Sequence, residues 1–248
     1  MSLTETSPPS TVVSLSDHDP SAAQALATQR AWCRGALRVS RTFALNIRCL
    51  RGRMLESVRL AYLLCRAADA LEDSWPGTAA EIGARFDLLL AALAGEAAAA
   101  EALSHAASRQ HARADMDLLV RLPALLHVLG SLDPADAADV RTCVRTMSGG
   151  MRRYATRAAD RGARTPYLDD DAELHDYCYV VAGCVGEMLT RLVSRSIVDD
   201  DPALAAPALA LPELPPGWAF EGWVGTQGFT FSTGRFRLAV GADGAALY

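Results

Sequence analysis

From Asp19 to Ser196 the sequence carries helix starts and stops in close succession, and no credible strand occurs before residue 215. Asp19-Pro20 puts an acid at an N-cap with proline at the first helical position. A helix is expected from Ser21 to about Leu50, where Arg51-Gly52 breaks it. A second runs from about Met54 to Asp73 and stops before Pro76-Gly77. Thr78 and Glu81 form a capping-box pattern for a third, ending near Gly95. The Ala-rich stretch from Glu96 to Ala107 is helical but weakly specified. Another helix covers Asp115 to Leu129, with Pro123 marking its middle or an early break. Asp133-Pro134 repeats the start signal for a helix reaching about Ala159, with Gly149-Gly150 inside it. After a polar loop with Pro166, the last helix spans Ala172 to Ser196. Half of the residues are hydrophobic, with Ala abundant and Leu, Arg and Glu frequent, so these helices can enclose a sizeable core. The expected fold class is all-α, with no internal repeat.

The two ends differ from this body. The organisation expected is a disordered leader over residues 1–20, a helical domain over 21–198 and a separate tail over 199–248. Seven of the chain's aromatics (Trp218, Phe220, Trp223, Phe229, Phe231, Phe236, Tyr248) fall after Glu213, with seven glycines among them. Phe229 and Phe231 alternate, as do Phe236, Leu238 and Val240, which is a hairpin pattern around Thr233-Gly234. Such a segment fits poorly onto a helical bundle.

The net charge of −5 gives no reason to expect a nucleic-acid partner. All 24 basic residues are Arg, spread over the whole chain, which points to a coding bias rather than to a phosphate-binding role for each. The six cysteines (Cys33, Cys49, Cys65, Cys143, Cys178, Cys184) form no C-x-x-C pair and sit mostly in apolar helical stretches, so buried reduced thiols are expected. The N-terminus has no apolar signal core, and no run of about 18 apolar residues exists to span a membrane. A cytoplasmic monomer is expected, at most touching a membrane surface.

Three constellations could carry chemistry. On the second helix Asp69, Glu72 and Asp73 stand at i, i+3 and i+4, so their carboxylates share one face. Tyr62 and Arg66 precede Asp69 on the same stripe, and the intervening residues are apolar. Clustered, partly buried carboxylates repel one another and lose hydration, which costs several kcal/mol. A hard cation such as Mg²⁺ would offset both; the plainer alternative is a helix end whose acids face water, although acids there oppose the macrodipole. Ser40-Arg41-Thr42-Phe43-Ala44 offers an arginine able to grip diphosphate bidentately, or simply a surface arginine. Asp176-Tyr177-Cys178-Tyr179-Val180-Val181-Ala182-Gly183-Cys184-Val185-Gly186 puts two glycines in an apolar helix, each costing about 1 kcal/mol relative to Ala. Close approach of another helix, or of a prenyl chain, would explain them.

Taken in order, these segments resemble the squalene/phytoene synthase family. Ser40 to Ala44 resembles the family's SRSFA-like segment, Tyr62 to Asp73 its first aspartate-rich motif, and Tyr177 to Gly186 its YC-x-x-VAG-x-VG motif. Met147 to Ala155 is similar to the helix before that motif, and the likeness covers about residues 25–195. The wording of the second and third segments leans toward squalene synthase. The resemblance implies a class I isoprenoid synthase bundle that joins two farnesyl diphosphates head-to-head through presqualene diphosphate, with NADPH-dependent reduction to squalene. It implies Mg²⁺ at Asp69, Glu72 and Asp73, and phosphate or NADPH contacts from Ser40, Arg41 and Arg66. Gly183 would lie at the prenyl substrate, Tyr62 would line the site, and Tyr177 would handle a proton. A phytoene synthase type of condensation, using geranylgeranyl diphosphate without NADPH, is the alternative within the family.

The family also places a second aspartate-rich motif, N-I-x-R-D-x-x-x-D, after the YC motif. Here Ser196 is followed by Asp199-Asp200-Asp201, prolines and the aromatic tail, with no Asp-x-x-x-Asp. The expectation is therefore an incomplete bundle of impaired activity, or a non-catalytic remnant that binds prenyl diphosphate or a partner. The tail from about residue 200 reads as out-of-frame or unrelated sequence, or else as an accessory hairpin.

Overall fold

The structure, a computed structural model, describes residues 20–37, 41–110, 114–162, 168–200, 220–226, 229–236, 239–240 and 246–247. The chain divides into two compact units, Met1–Ser196 and Ile197–Tyr248.

The first unit is all-helical among its described residues. Its order is α1 (Pro20–Ala36), α2 (Arg41–Arg48), α3 (Gly52–Asp73), α4 (Ala79–Ala94), α5 (Ala97–Ala107), α6 (Ala114–Val120), α7 (Leu122–Gly130), α8 (Pro134–Arg161), α9 (Asp171–Cys178), a π-helical turn (Tyr179–Gly183) and α10 (Cys184–Asp200), whose last four residues carry over into the second unit's span. Helix α3 is central, packing on α1, α2, α4, α6, α7 and α8. The reason is its composition: Leu60, Leu63, Leu64, Ala67, Ala68 and Leu71 are all buried, and the small alanines let neighbours approach closely. Burying each leucine contributes roughly 1.5–3 kcal/mol.

Local signals set most boundaries. The Thr78 hydroxyl accepts from Glu81 N–H while Thr78 N–H donates to the Glu81 carboxylate at 2.8 Å, completing the capping box. Gly95 ends α4 at φ +111, a conformation that an L side chain rarely adopts. Asp133 caps α8 by accepting from Ala135 N–H at 2.9 Å. Of the long first helix expected over residues 21–50 the structure describes α1 and α2, and residues 38–40 between them lie outside the described residues. The stretch 115–129 is two helices meeting at Arg121, because Pro123 has no N–H to continue the ladder. The Ser104 hydroxyl donates to the Val120 carbonyl at 2.5 Å, satisfying an acceptor at that break. The expected helix over 172–196 runs on through a π turn at the Tyr-Val-Val-Ala-Gly segment. No helix among the described residues is long and apolar enough to cross a membrane.

Two polar features tie the helices together. Asp136 of α8, only 2% exposed, accepts two hydrogen bonds from Arg53 (2.8 and 3.0 Å), one from Ser57 (2.8 Å) and one from Arg195 (3.1 Å), joining α3, α8 and α10. Burial pushes its carboxyl up, but the hydrogen bonds from Arg53, Ser57 and Arg195 outweigh burial and hold it below the usual carboxylate range. A depressed folded-state pKa gives stability that is full above the unfolded carboxylate value of about 3.9 and lost as pH falls through the folded value. Asp136→Asn should therefore destabilise the unit by about 1–3 kcal/mol at neutral pH and flatten the acid limb of its stability curve, as read by urea melts between pH 3 and 7. An unchanged acid limb would show that Asp136 is not the group responsible.

Gly150 of α8 lies against the π turn: a Cβ there would stand 2.4 Å from the Cβ of Val180. Gly150→Ala should cost about 1–3 kcal/mol by overpacking. Gly149, with nothing within 4 Å of a Cβ, should accept Ala or gain up to about 1 kcal/mol. Thermal melts of the two variants test the pair, and equal shifts would count against the close approach.

In the second unit, β1 (Phe220–Thr226) pairs antiparallel with β2 (Phe229–Phe236), and β3 (Ala239–Val240) with β4 (Ala246–Leu247). The hairpin does not reverse at Thr233-Gly234 as its alternation suggested. Thr226 pairs with Phe229, so the reversal falls at 227–228, outside the described residues. Gly234 pairs with Gly222 and Ser232 with Trp223, so Thr233 is the extra residue of a β-bulge.

Candidate active site

Helix α3 carries Tyr62, Arg66, Asp69 and Asp73 on one stripe, with Glu72 beside it. The opposite face is locked into the core, so these polar groups emerge at the C-terminal half of a rigid, buried helix. Arg66 donates to Asp69 Oδ2 at 3.0 Å and also to Asp115 Oδ2 at 3.3 Å. Asp115, in the first turn of α6, also accepts from the Ser74 hydroxyl at 2.9 Å. Asp115 and Ser74 belong to the site's polar network, yet neither stands out in the sequence. Their only signal there is an acid opening a helix and a serine directly after Asp73.

The carboxylates are electrostatically uncomfortable. Burial first, then the neighbouring Asp73 and Asp69, pushes Glu72 up to about 7. Asp69 is also raised: burial is the largest cause, partly opposed by Arg66 and reinforced by Asp73 and Asp115. Just beyond α3, the guanidinium of the buried Arg85 donates to the carbonyls of Trp75, Pro76 and Glu81 and sits 4.6 Å from the Trp75 ring centroid. That arrangement fastens the chain that follows the acids.

From the Ser40–Ala44 segment, Phe43 is the residue seen beside this stripe. Phe43 of α2 is exposed, and its ring centroid lies 5.6 Å from that of Tyr62. Arg41 is the first residue of α2, but its side chain and all of Ser40 lie outside the described residues.

Tyr177 meets a different neighbour. Its ring stands edge-on to Tyr154 of α8, centroids 5.3 Å apart at 87°. The buried Tyr154 donates its O–H to Asp176 at 2.5 Å, Arg153 also donates to Asp176, and the guanidinium carbons of Arg153 and Arg157 lie 4.7 and 5.7 Å from the Tyr154 ring centroid. Tyr154 therefore positions the Tyr177 ring, and Asp176 in turn holds the Tyr154 hydroxyl. Gly183 closes the π turn, where an added Cβ would lie 2.8 Å from the Tyr179 ring, while Gly186 is exposed with nothing within 4 Å of a Cβ. The close helix approach expected at these glycines occurs instead at Gly150. The thiols are also more varied than expected: Cys33, Cys143 and Cys184 are buried, Cys65 is half-buried, and Cys49 and Cys178 are exposed.

Among the described residues, no three His, Cys, Asp or Glu side chains converge enough to hold a metal ion between them. The donor set suits a cation that needs little from the protein. It offers only hard oxygens, and Glu72 and Asp69 carry repulsion that a positive charge would relieve. Mg²⁺ characteristically takes one or two carboxylates and completes its shell with water and substrate phosphate.

The chain matches the family model described as squalene/phytoene synthase over residues 36–211. It belongs to the squalene/phytoene synthase family. Among solved structures it is similar to TcSQS, a squalene synthase, in complex with the ligand BPH1237: 27% identity over 72% of this chain and 48% of that one, at a TM-score of 0.54. TcSQS with the ligand E5700 is matched at 26% identity, 72% and 47% coverage and a TM-score of 0.49. No curated protein matches. The likeness to the BPH1237 complex gives the helical unit the all-α isoprenoid synthase fold of squalene synthase, and the chain spans about half the length of the solved relatives it matches.

Proposed function

We propose that the site on α3 binds the diphosphate of an allylic prenyl substrate and takes part in a squalene synthase type of head-to-head condensation of two farnesyl diphosphates. The observation that carries this reading is the acidic stripe itself, in which Glu72 is pushed up to about 7 beside an arginine that bridges Asp69 to Asp115. One or two carboxylates of the Asp69, Glu72 and Asp73 set would hold Mg²⁺, which when bound supplies a Lewis acid for the departing diphosphate. Arg66 contributes guanidinium charge at the same point, and Ser40 and Arg41 would add donors to the phosphate oxygens. Tyr62 and Phe43 present paired aromatic faces beside the stripe, which would lie against the apolar chain of a prenyl substrate. Tyr177, braced by Tyr154, would hold or move a proton, with Gly183 leaving room beside it.

A phytoene synthase type of reaction with geranylgeranyl diphosphate uses the same groups, whereas reduction to squalene would need NADPH. A remnant that binds prenyl diphosphate without turnover is a third reading. Calorimetry with a non-reactive farnesyl diphosphate analogue is the test. Binding should require Mg²⁺, and the same affinity in EDTA would remove the α3 assignment.

A further inference from the structure

Arg66 stands between carboxylates from two different helices. Its Nη1 donates to Asp69 Oδ2 at 3.0 Å, and its Nη2 donates to Asp115 Oδ2 at 3.3 Å. Asp69 lies one turn further along α3, whereas Asp115 comes from the first turn of α6. The Ser74 hydroxyl, directly after α3, donates to the same Asp115 oxygen at 2.9 Å, so Asp115 is itself held in place. The Arg66, Asp69 and Asp115 side chains are each about a quarter exposed, so a ligand can reach both pairs. A guanidinium carries two hydrogens on each terminal nitrogen, and these bonds commit one on each. The fork is thereby oriented while keeping a donor on either nitrogen for an oxyanion.

The two acids differ in what a ligand does to them. Asp69 belongs to the set that would take Mg²⁺, and a carboxylate given to a cation is a weaker partner for a guanidinium. Held by Asp69 alone, Arg66 would be let go just as the diphosphate arrives, and its long side chain has much rotamer freedom to recover. Asp115, on another helix, keeps its grip on Nη2. We propose, on the reading of α3 as a diphosphate site, that Asp115 is a positioning residue, anchoring Arg66 from α6 so that the guanidinium stays at the diphosphate when the cation engages Asp69. Asp115 also carries a charge of the wrong sign for that ligand, and it adds to the repulsion that raises Asp69. Charge alone therefore predicts tighter diphosphate binding once Asp115 is removed; positioning predicts the opposite.

Calorimetry of the full chain with a non-reactive farnesyl diphosphate analogue in Mg²⁺ tests this as a double-mutant cycle. Asp115→Ala should weaken binding about tenfold, and Asp115→Asn, which keeps an acceptor for Arg66, should weaken it less. In an Arg66→Gln background the same two changes should alter the affinity by less than about twofold, because Asp115 then has no guanidinium to hold. All titrations are run below the lowest melting temperature of the set, so that a loosened α6 is not read as lost affinity. Binding that is unchanged or tightened by Asp115→Ala overturns the proposal and leaves the α3 reading standing. So does an equal loss in both backgrounds, which would make Asp115 a direct contact to the metal or a purely structural residue. An unmutated chain without Mg²⁺-dependent binding removes both.

Discussion

Incubated with farnesyl diphosphate, Mg²⁺ and NADPH, this chain on its own should form presqualene diphosphate or squalene at least about 10²-fold more slowly than a family member that carries both acidic helices. On the proposed reading the α3 stripe would be one acidic wall, Asp69, Glu72 and Asp73, and between Ser196 and Tyr248 there is no Asp-x-x-x-Asp to face it. Removing a single electrostatic stabiliser of developing charge costs about 2.7–4 kcal/mol, or 10²–10³ in rate. Without a second acidic wall the assayed chain would lack more than one such stabiliser. Exposure matters as well: Phe43 is 59% exposed and Tyr179 43%, so the aromatic surfaces around the motifs are open to water. A cation formed there would be quenched to an alcohol. Product separation by chromatography reads both the rate and the alcohol. Squalene or presqualene diphosphate at the rate of such a family member would show that one wall suffices.

Asp69→Asn combined with Asp73→Asn should abolish the Mg²⁺ dependence of prenyl diphosphate binding, an effect of about 10²-fold on the Mg²⁺-dependent part of the affinity. Both positions tolerate the change sterically, since Asp73 is exposed and Asp69 partly so. The fold should survive it, because the carboxylates on this stripe burden the helix rather than support it. Relieving two like charges near Glu72 should, if anything, raise the melting temperature in the absence of metal. Calorimetry with and without Mg²⁺, beside a thermal melt, reads both effects. Retention of full Mg²⁺ dependence would move the metal to other residues.

The helical class, the acidic stripe and the main caps were legible in the sequence because each rests on interactions within about one turn. The Thr78–Glu81 box and the Asp133 cap bond residues two or three apart, and Tyr62, Arg66, Asp69 and Asp73 align by the helical repeat alone. Breaks were legible where a residue forces them, as Pro123 does. What tertiary structure decided lies at long range. Arg66 finds Asp115 across 49 residues, and Asp136 gathers Arg53 from 83 residues away and Arg195 from 59. Tyr177 is braced by Tyr154, and Val180 explains the small residue at 150. Periodicity names the face on which a side chain stands, but only the packing of one helix on another supplies the charge, ring or methyl group that meets it there.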